Sequence, residues 1–399
     1  MKRINLQNAK AQIARPTTIR DINRQIVLSY VRDRGPISRA QIARETELHR
    51  STVSLITDQL VNDGLIVETG EGESTGGRKP TLYKLMTGTP AAIGIDVGPK
   101  VVTIGVSDLA GNLLSQESFA SSPDLEFMTA QIIERTAALA KIHNKYEIEI
   151  GISVPGLVDQ RTGRVIHIPY FNWRDWDINS ALRRATGLTV TVENDANATA
   201  LAELWFSRDA LMRNETFVSV LVGDGIGTGI VFDGQLYRGE MGAGGEFGHM
   251  IAGSDAPVEC SCGSRECWEA YASEKALIER YRRLLELNGL KANGFDVSDI
   301  VQLARSGEVN AVKALRETVE YLGNGISNLI VGLSPQIVVV SGRITDAWSV
   351  FEDILTKVSE RSILAGLPKT RLVPSALGSL PTLKGAFCLV LSRKFGIAG

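Results

Sequence analysis

Apolar residues near the N-terminus recur at spacings of three and four, the pattern of an amphipathic helix. This stripe lies between Thr18 and Gly35, and its members are Ile19, Ile22, Ile26, Val27, Tyr30 and Val31. It predicts a first helix that ends before Gly35-Pro36. Ser38 suits the N-cap of a short second helix. A third helix is expected from about Ser51 to Asp63, with Gly64 closing it.

The third predicted helix divides its residues between a buried and an exposed face. We expect burial of Val53, Leu55, Ile56 and Leu60, and exposure of Arg50, Ser51, Thr52, Ser54 and Thr57. Two short strands at 65–67 and 82–85 follow, joined by a glycine-rich loop that ends in a basic pair. This order of elements predicts a winged helix-turn-helix, although three-helix modules also serve in protein contacts.

A winged helix-turn-helix binds DNA mainly with the first turns of its third helix, because only these reach base edges in the major groove. A basic pair between glycine and proline can enter a narrow minor groove. The candidate DNA-binding residues are Arg39, Arg50, Ser51, Thr52 and Ser54 in the helices, and Arg78 and Lys79 in the wing.

Beyond residue 88, apolar strand-like runs alternate with helical patterns. Strands are predicted at 92–98, 101–107, 148–154, 217–222, 230–232 and 337–340, and helices at 125–143, 193–206, 273–288 and 309–332. This alternation predicts an α/β protein with two lobes. We therefore divide the chain into a DNA-binding domain, residues 1–87, and a second domain, residues 88–399.

Composition and charge refine this division. The 399 residues are 44% apolar, enough for two or three compact domains. They contain no apolar run of the roughly 18 to 20 residues that a membrane span needs, and no signal peptide. We expect a cytoplasmic protein, on the nucleoid when bound to DNA. The net charge of −2 separates into +5 for the first 90 residues and −7 for the rest, which favours contact with phosphates by the N-terminal part alone.

Three of the four cysteines lie within eight positions, which suits metal ligation better than a disulfide framework. The cluster consists of Cys260, Cys262 and Cys267. His249 precedes it, with ten residues between His249 and Cys260. Three thiolates and one imidazole form a closed tetrahedral set for Zn²⁺, with no position left for a reactive water. The sequence therefore predicts a structural zinc site. Cys388 is expected in a core.

Several segments together resemble one known family. They are Pro36-Ile-Ser-Arg-Ala-Gln-Ile-Ala, Arg50-Ser-Thr-Val-Ser, Val154-Pro-Gly-Leu-Val-Asp, Val192-Glu-Asn-Asp-Ala-Asn-Ala, Asp233-Gly-Gln-Leu-Tyr-Arg-Gly and Gly242-Ala-Gly-Gly-Glu-Phe-Gly-His. The chain resembles the ROK family (repressor, open reading frame, kinase) over nearly its whole length. Glu47 departs from the repressors' pattern, in which a turn glycine is common. The resemblance implies an actin-like, hexokinase-like ATPase fold with a sugar between its lobes.

The same resemblance implies sugar-binding residues. They are Asn194, Asp195, Glu246, His249 and Glu269, with Asn172 as a further candidate. Carboxylates, amides and an imidazole suit vicinal hydroxyls, each of which donates and accepts hydrogen bonds. His249 could hold zinc through one ring nitrogen and a sugar hydroxyl through the other. In the family's kinases the position of Asp195 is the general base. A solvated acidic loop is the alternative interpretation.

The family contains both repressors and kinases, and the phosphate loops bear on the choice. Family kinases usually carry Asp-x-Gly-Gly-Thr in the first loop, whereas this chain places Pro99, which has no amide hydrogen, after Asp96-Val-Gly. Asp224 stands in the second loop in place of threonine, and Ser341-Gly-Arg in the third in place of three glycines. These changes predict that kinase activity is lost.

We therefore predict a transcription repressor that controls carbohydrate metabolism genes. Its expected partners are operator DNA and a sugar or sugar phosphate, and the chain is expected to form a homodimer or homotetramer. A sugar kinase with an appended DNA-binding domain is the alternative, with Asp195 as its catalytic base. An adaptor regulated by a protein partner is a third possibility.

Overall fold

The computed structural model describes residues 16–72, 79–207, 216–291, 294–361 and 369–395. These residues form two compact units. The first contains the described residues up to Thr89, together with Asp108–Asn112 and residues 392–395. The second contains Pro90–Ser107 and Leu113–Leu391.

The first unit combines three helices with a three-stranded sheet. The helices are α1 (Pro16–Arg34), α2 (Arg39–Thr46) and α3 (Arg50–Asn62), and the strands are β1 (Ile37–Ser38), β2 (Ile66–Glu71) and β3 (Thr81–Leu85). The strand order is β1-β3-β2, and both pairings are antiparallel. The predicted winged helix-turn-helix architecture is therefore present. The tip of the hairpin between β2 and β3, with Arg78, lies outside the described residues.

Local signals set the ends of α2. The Ser38 hydroxyl accepts the Gln41 N–H at 3.3 Å, and the Gln41 side chain accepts the Ser38 N–H at 3.0 Å. This capping box satisfies donors that the first helical turn leaves free. At the other end, Glu47 adopts the left-handed conformation with φ 59°. Glycine is common in this conformation because a side chain strains the backbone, and here Glu47 adopts it instead.

The predicted faces of α3 are wrong at two positions. Leu55, expected in the core, is 58% exposed. Thr57, expected at the surface, is fully buried, and its hydroxyl donates to the Val53 carbonyl at 2.7 Å. Because that bond satisfies the hydroxyl within the helix, threonine packs in the core at little cost. Val53, Ile56 and Leu60 are buried as predicted.

The second unit contains two five-stranded sheets. The first sheet has the order β11-β7-β4-β5-β6, and its strands are β4 (Ala92–Val97), β5 (Val101–Ser107), β6 (Leu113–Ala120), β7 (Glu149–Val154) and β11 (Val190–Asn194). Helices α4 (Leu125–Ile142) and α5 (Ile178–Thr186) accompany it. A small sheet consists of β8 (Leu157–Asp159), β9 (Arg164–Ile168) and β10 (Trp173–Trp176).

The second large sheet has the order β14-β13-β12-β15-β16. Its strands are β12 (Phe217–Val222), β13 (Ile226–Phe232), β14 (Gln235–Tyr237), β15 (Ile337–Ser341) and β16 (Arg371–Pro374). The remaining helices are α6 (Asp195–Phe206), α7 (Trp268–Ala272), α8 (Glu274–Leu287), α9 (Val297–Arg305), α10 (Val309–Leu333), α11 (Trp348–Ser359) and α12 (Pro381–Lys394). The predicted two-lobed α/β architecture is confirmed.

Buried apolar strands explain why the sheets form. Every residue of β12 and β15 is buried, as expected for strands covered on both faces. Cys388 is fully buried in α12, as predicted. Among the described residues, no helix is long and apolar enough to span a membrane.

Candidate functional site

A cavity of about 550 Å³ lies in the second unit at the ends of several strands. Asp96 near the end of β4, Asn194 at the end of β11 and the turn between β12 and β13 all contribute to its wall. Ligands of open α/β sheets bind at this edge, outside the carboxyl ends of parallel strands. Of the predicted sugar-binding residues, Asn194, Asp195, Glu246, His249 and Glu269 line the cavity.

Asn194 and Asp195 are placed by the start of α6. The Asn194 side-chain oxygen accepts the N–H groups of Ala196 at 3.0 Å and Asn197 at 3.1 Å, so Asn194 is the N-cap. Its amide donates to the Gly156 carbonyl at 3.2 Å. The cap thereby fixes Asp195, the first residue of the helix, at the cavity wall.

Asp195 faces a second carboxyl group, Asp96. Burial raises the pKa of Asp195 to about 7, and the negative charge of Asp96 adds to the rise. Burial also raises the pKa of Asp96 to about 6, although a hydrogen bond from Thr382 at 2.7 Å opposes this change. A carboxyl group with a pKa near neutrality can donate or accept a hydrogen bond, as a sugar hydroxyl requires.

Glu269 is held by the turn after β12 and by the cysteine loop. One carboxylate oxygen accepts the Ile226 N–H at 3.3 Å, and the other accepts the Ser261 N–H at 3.2 Å. A Cβ atom on Gly225 would lie 2.5 Å from Glu269 Oε2, so a side chain at position 225 would displace this carboxylate. The glycine in the second loop therefore has a packing role at the site.

The predicted metal ligands lie together. His249 Nδ1 lies 3.3 Å from Cys260 Sγ, which is 3.2 Å from Cys262 Sγ, and the Cys262 and Cys267 sulfurs are 3.5 Å apart. All four ligand atoms fall within 4.8 Å of one another. Tetrahedral Zn²⁺ with Zn–S bonds of about 2.3 Å places its ligands roughly 4 Å apart, so the cluster can hold one metal ion.

His249 also faces the cavity. Its other ring nitrogen, Nε2, lies 3.7 Å from a Glu246 carboxylate oxygen. One imidazole therefore points Nδ1 at the thiols and Nε2 at an acidic group of the cavity wall. This arrangement is compatible with the predicted double role of His249, in which one ring nitrogen binds a metal ion and the other binds a sugar. Both parts of that role remain predictions.

The predicted residue Asn172 is not brought to the cavity. It is exposed, with φ 54°, at the end of the short helical turn Pro169–Phe171. Its neighbour Tyr170 lines the cavity instead, as do His167 and Thr382, which the sequence interpretation missed. His167 belongs to β9 of a small sheet that was not predicted, and Tyr170 lies between β9 and β10. Thr382 is separated from its partner Asp96 by 286 positions.

The altered phosphate loops line the same cavity. The Gly98 N–H is bonded to the Val101 carbonyl at 3.0 Å, and the Gly223 N–H to the Gly225 carbonyl at 2.9 Å. Asp224 forms an ion pair with Lys100 at 2.9 Å. The loops therefore direct these two amides at their own backbone, and they place a paired carboxylate on the wall.

The candidate DNA-binding residues differ in their contacts. Arg50 and Ser51 are exposed at the start of α3, and Thr52 is half-buried. Arg39 donates to Ser54 at 2.8 Å and to the Asp58 carboxylate at 2.6 Å, so it braces α2 against α3. Lys79 lies 3.8 Å from Glu71 and is 61% exposed.

Known proteins share this architecture. The xylose repressor of Bacillus subtilis is 31% identical over 391 residues, which cover 96% of this chain and 98% of that protein. A crystal structure of a ROK family transcriptional regulator, a homologue of the E. coli MLC protein, is 26% identical with a TM-score of 0.75, covering 95% of this chain and all of that one. A ROK family glucokinase from Streptomyces griseus, solved with glucose and AMPPNP, is 30% identical with a TM-score of 0.67 and covers 76% of this chain and 99% of that one.

The fold and the cavity define a sugar-kinase-like protein that carries an N-terminal winged helix-turn-helix. The sequence pattern of the ROK family matches residues 92–393. The chain belongs to the ROK family, and its similarity to the xylose repressor covers 96% of its length, whereas the similarity to the glucokinase covers 76%.

Proposed function

We propose that this protein is a DNA-binding transcription repressor of carbohydrate metabolism genes, controlled by a sugar bound in the cavity. The observation that carries this proposal is the similarity to a xylose repressor over 96% of the chain, winged helix included. In this proposal residues 1–87 form the DNA-binding domain and residues 88–399 form the sensor domain.

The DNA contacts are assigned to the start of α3 and to the wing. Arg50 and Ser51 are exposed there and can bond base edges or phosphates. Thr52 and Ser54 are half-buried beside them, and Arg39 acts through its bonds to Ser54 and Asp58. Lys79 belongs to the wing, as does Arg78.

The sugar site is assigned to the five cavity residues Asn194, Asp195, Glu246, His249 and Glu269. They supply an amide, three carboxyl groups and an imidazole, which together can donate to and accept from vicinal hydroxyls. The exposed Asn172 would reach the sugar only if its turn moved, because it lies outside the cavity wall.

The ion of the cysteine cluster is proposed to be Zn²⁺ in a structural role. Three thiolates and one imidazole fill the four coordination positions of a tetrahedral ion. The ion would therefore stabilise the cysteine loop and would have no open position at which to activate water. His249 transmits that constraint to the cavity, because its second nitrogen faces Glu246.

Loss of kinase activity is part of the proposal. Pro99 has no amide hydrogen, the Gly98 and Gly223 amides are bonded within their loops, and Asp224 adds negative charge. One observation favours the rival function, a sugar kinase: the pKa of Asp195 is raised to about 7, which suits a general base. The same raised pKa also suits a sensor, in which Asp195 would only form hydrogen bonds with a sugar hydroxyl.

We further propose that the protein acts as a dimer or a dimer of dimers on a near-palindromic operator. Sugar and operator then affect each other's affinity reciprocally, because each binds one of two states preferentially. The sign of the coupling decides whether the sugar is an inducer or a co-repressor.

The test has two parts, both on the full chain. DNA fragments selected from a random duplex pool are measured for affinity with and without pentoses, hexoses and amino sugars, and the same sugars are incubated with MgATP and assayed for phosphorylated product. We expect a sugar that binds, changes operator affinity by about tenfold and is not phosphorylated. Phosphorylation of a sugar at ordinary enzymatic rates would show that the protein is a kinase. If no sugar changed the affinity for the operator, the proposal would be wrong.

A further inference from the structure

The second unit has two separate hydrophobic cores, one for each lobe. The first lobe packs around β4, β5, β7 and β11 and includes the small sheet β8–β10. The second lobe packs around β12, β13 and β15 together with α8 and α10. Both lobes contribute to the cavity wall, Tyr170 from the first and Asp224 from the second. Contacts between the lobes beside the cavity therefore bear on how its wall is held together.

An ion pair joins the two lobes at the edge of the cavity. The Lys100 ammonium, in the turn between β4 and β5, donates to the Asp224 carboxylate, in the turn between β12 and β13, at 2.9 Å and across 124 positions of the chain. The Asp224 side chain is only 13% exposed, whereas that of Lys100 is 67% exposed. Burial would lower the pKa of Lys100, but the hydrogen bond to Asp224 and its charge raise the pKa overall.

A cation–π contact joins the lobes beside this ion pair. The Lys275 ammonium, at the start of α8, lies 4.1 Å from the centre of the Tyr170 ring. Tyr170 packs against the core of the first lobe. The Glu274 N–H donates to the Gly223 carbonyl at 2.8 Å, so a backbone bond connects the start of α8 to the turn that carries Asp224. The two contacts between the lobes therefore share one support.

The ion pair is built from two residues that depart from the kinase pattern. Lys100 stands in the first phosphate loop and Asp224 in the second, each where that pattern has threonine. Backbone bonds hold both turns in place, because the Ser121 N–H donates to the Lys100 carbonyl and the Gly223 N–H to the Gly225 carbonyl, both at 2.9 Å. Two threonines could not form an ion pair, so the replacements together create a contact between the lobes.

We infer that Lys100–Asp224 and Tyr170–Lys275 form a cross-lobe clamp that positions the two lobes around a bound sugar and slows its release. This inference rests on the proposed sensor function and names residues that tune it. Of the described residues, Lys100 and Lys275 are not part of the cavity wall, so they act through the position of the lobes. A ligand is held more tightly when protein contacts stabilise the state that binds it.

The experiment is a double-mutant cycle on the full-length protein. Xylose, glucose and N-acetylglucosamine are screened by calorimetry, and the sugar that binds most tightly is then followed by calorimetry and stopped-flow tryptophan fluorescence. We expect Lys100→Met and Asp224→Asn each to weaken its binding by about fivefold, mainly through faster dissociation. The double variant should bind no more weakly than either single variant, because the pair is already broken. Higher salt should reduce the effect.

Conservative and matched variants separate the clamp from a general loss of stability. Lys100→Arg keeps the charge and should bind sugar within about twofold of the parent protein. Lys275→Met should weaken binding in the same direction as Lys100→Met. Lys369→Met breaks an ion pair with Glu360, at 3.7 Å, in which neither residue lines the cavity, and it should leave sugar affinity unchanged.

The possible outcomes distinguish the clamp from the sensor function. If the losses in Lys100→Met and Asp224→Asn add in the double variant, or if Lys369→Met loses as much affinity, the clamp is wrong and the sensor function stands. The same conclusion follows if association and dissociation both become faster with an unchanged Kd, since the pair would then be a gate. If the parent protein binds no sugar, the proposed function fails and the clamp with it.

Discussion

The Arg238 guanidinium lies 2.8 Å from the carboxylate of Glu193, which is almost fully buried at 2% side-chain exposure. The other Glu193 oxygen accepts the Gln160 amide at 2.8 Å and the Asn194 N–H at 2.9 Å. Arg238 precedes the glycine-rich loop that carries Glu246, and Asn194 caps α6. This ion pair, whose carboxylate is buried, therefore ties together two of the three segments that supply the sugar-binding candidates.

We expect Arg238→Met to weaken sugar binding by about tenfold or more and to lower the free energy of unfolding by about 3 kcal/mol, because it leaves a buried carboxylate unpaired. Calorimetry and thermal unfolding measure the two effects. Arg282→Met is the matched control, since Arg282 pairs with Glu279 and Glu286 on the exposed face of α8. Surface ion pairs contribute little to stability. If both variants lost sugar affinity and unfolding free energy equally, Arg238 would not be the residue that positions the two segments of the site.

The raised pKa of Asp195 predicts a pH-dependent stability. Its pKa rises from an ordinary 3.8 to about 7 in the folded protein, so the folded state binds the proton more tightly than the unfolded state does. Stability from this group is therefore present at low pH and is lost as pH rises between about 4 and 7. Asp195→Asn, which cannot ionise, should raise the Tm at pH 8 by a few degrees and leave it nearly unchanged at pH 4.

The same substitution separates stability from function. At pH 8 we expect Asp195→Asn to be more stable than the parent and yet to bind sugar more weakly, because it loses a hydroxyl acceptor. A Tm difference that does not depend on pH would contradict the raised pKa. Glu320→Gln serves as the control, since Glu320 is an exposed carboxylate within α10.

The cysteine cluster predicts one metal ion per chain. We expect mass spectrometry of the purified protein to find about one zinc, and Cys262→Ala to lose it, with a lower Tm and weaker sugar binding through His249. Cys388→Ala removes a buried thiol outside the cluster, so it should keep the metal while losing some stability. Full metal content in Cys262→Ala would argue against the four-ligand site.

Much of this site could be predicted from sequence because its parts are local. The metal ligands lie within 19 consecutive residues, and the N-cap asparagine sits directly before Asp195. The contacts that escaped prediction are distant along the chain: Thr382 reaches Asp96 across 286 positions, and Arg238 reaches Glu193 across 45. Asp96, Glu193 and Arg238 lie in segments that the sequence analysis singled out, but the contacts they make become visible only when the fold brings their partners near.

The errors in α3 have a different origin. Hydrophobicity alone assigned Leu55 to the core and Thr57 to the surface, whereas helix geometry places Thr57 one turn after the buried Val53. The hydroxyl of Thr57 is satisfied by the Val53 carbonyl, so a polar residue fills a core position. The helix was predicted to within one residue at each end, and so were three of its buried positions, but Thr57 takes the core place that was assigned to Leu55.

Arg39 and Arg50, two of the candidate DNA-binding residues, should behave differently on substitution. Arg39 bonds Ser54 and Asp58 and lies 5.1 Å from the Tyr83 ring centre, so Arg39→Ala should lower both the Tm and the operator affinity. Arg50 is exposed at the start of α3. Arg50→Ala should reduce operator affinity by about tenfold with no change in the Tm. Gel-shift titrations and thermal unfolding distinguish the two roles, and a stability loss in Arg50→Ala would count against direct contact.

The exposed Leu55 carries the last prediction. It lies one turn after Ser51 on α3 and is 58% exposed, and an apolar side chain in the major groove can contact the C5-methyl group of thymine. We expect Leu55→Ala to weaken binding to a selected operator by about fivefold. Replacing one operator thymine by deoxyuridine removes only the methyl group. This replacement should weaken operator binding by the parent protein about fivefold, and it should not weaken binding by the Leu55→Ala variant any further. Ile251→Ala, an exposed apolar residue of the second unit, is the control. If no single thymine shows this coupling, Leu55 does not contact a base methyl, and its exposure has no part in operator recognition.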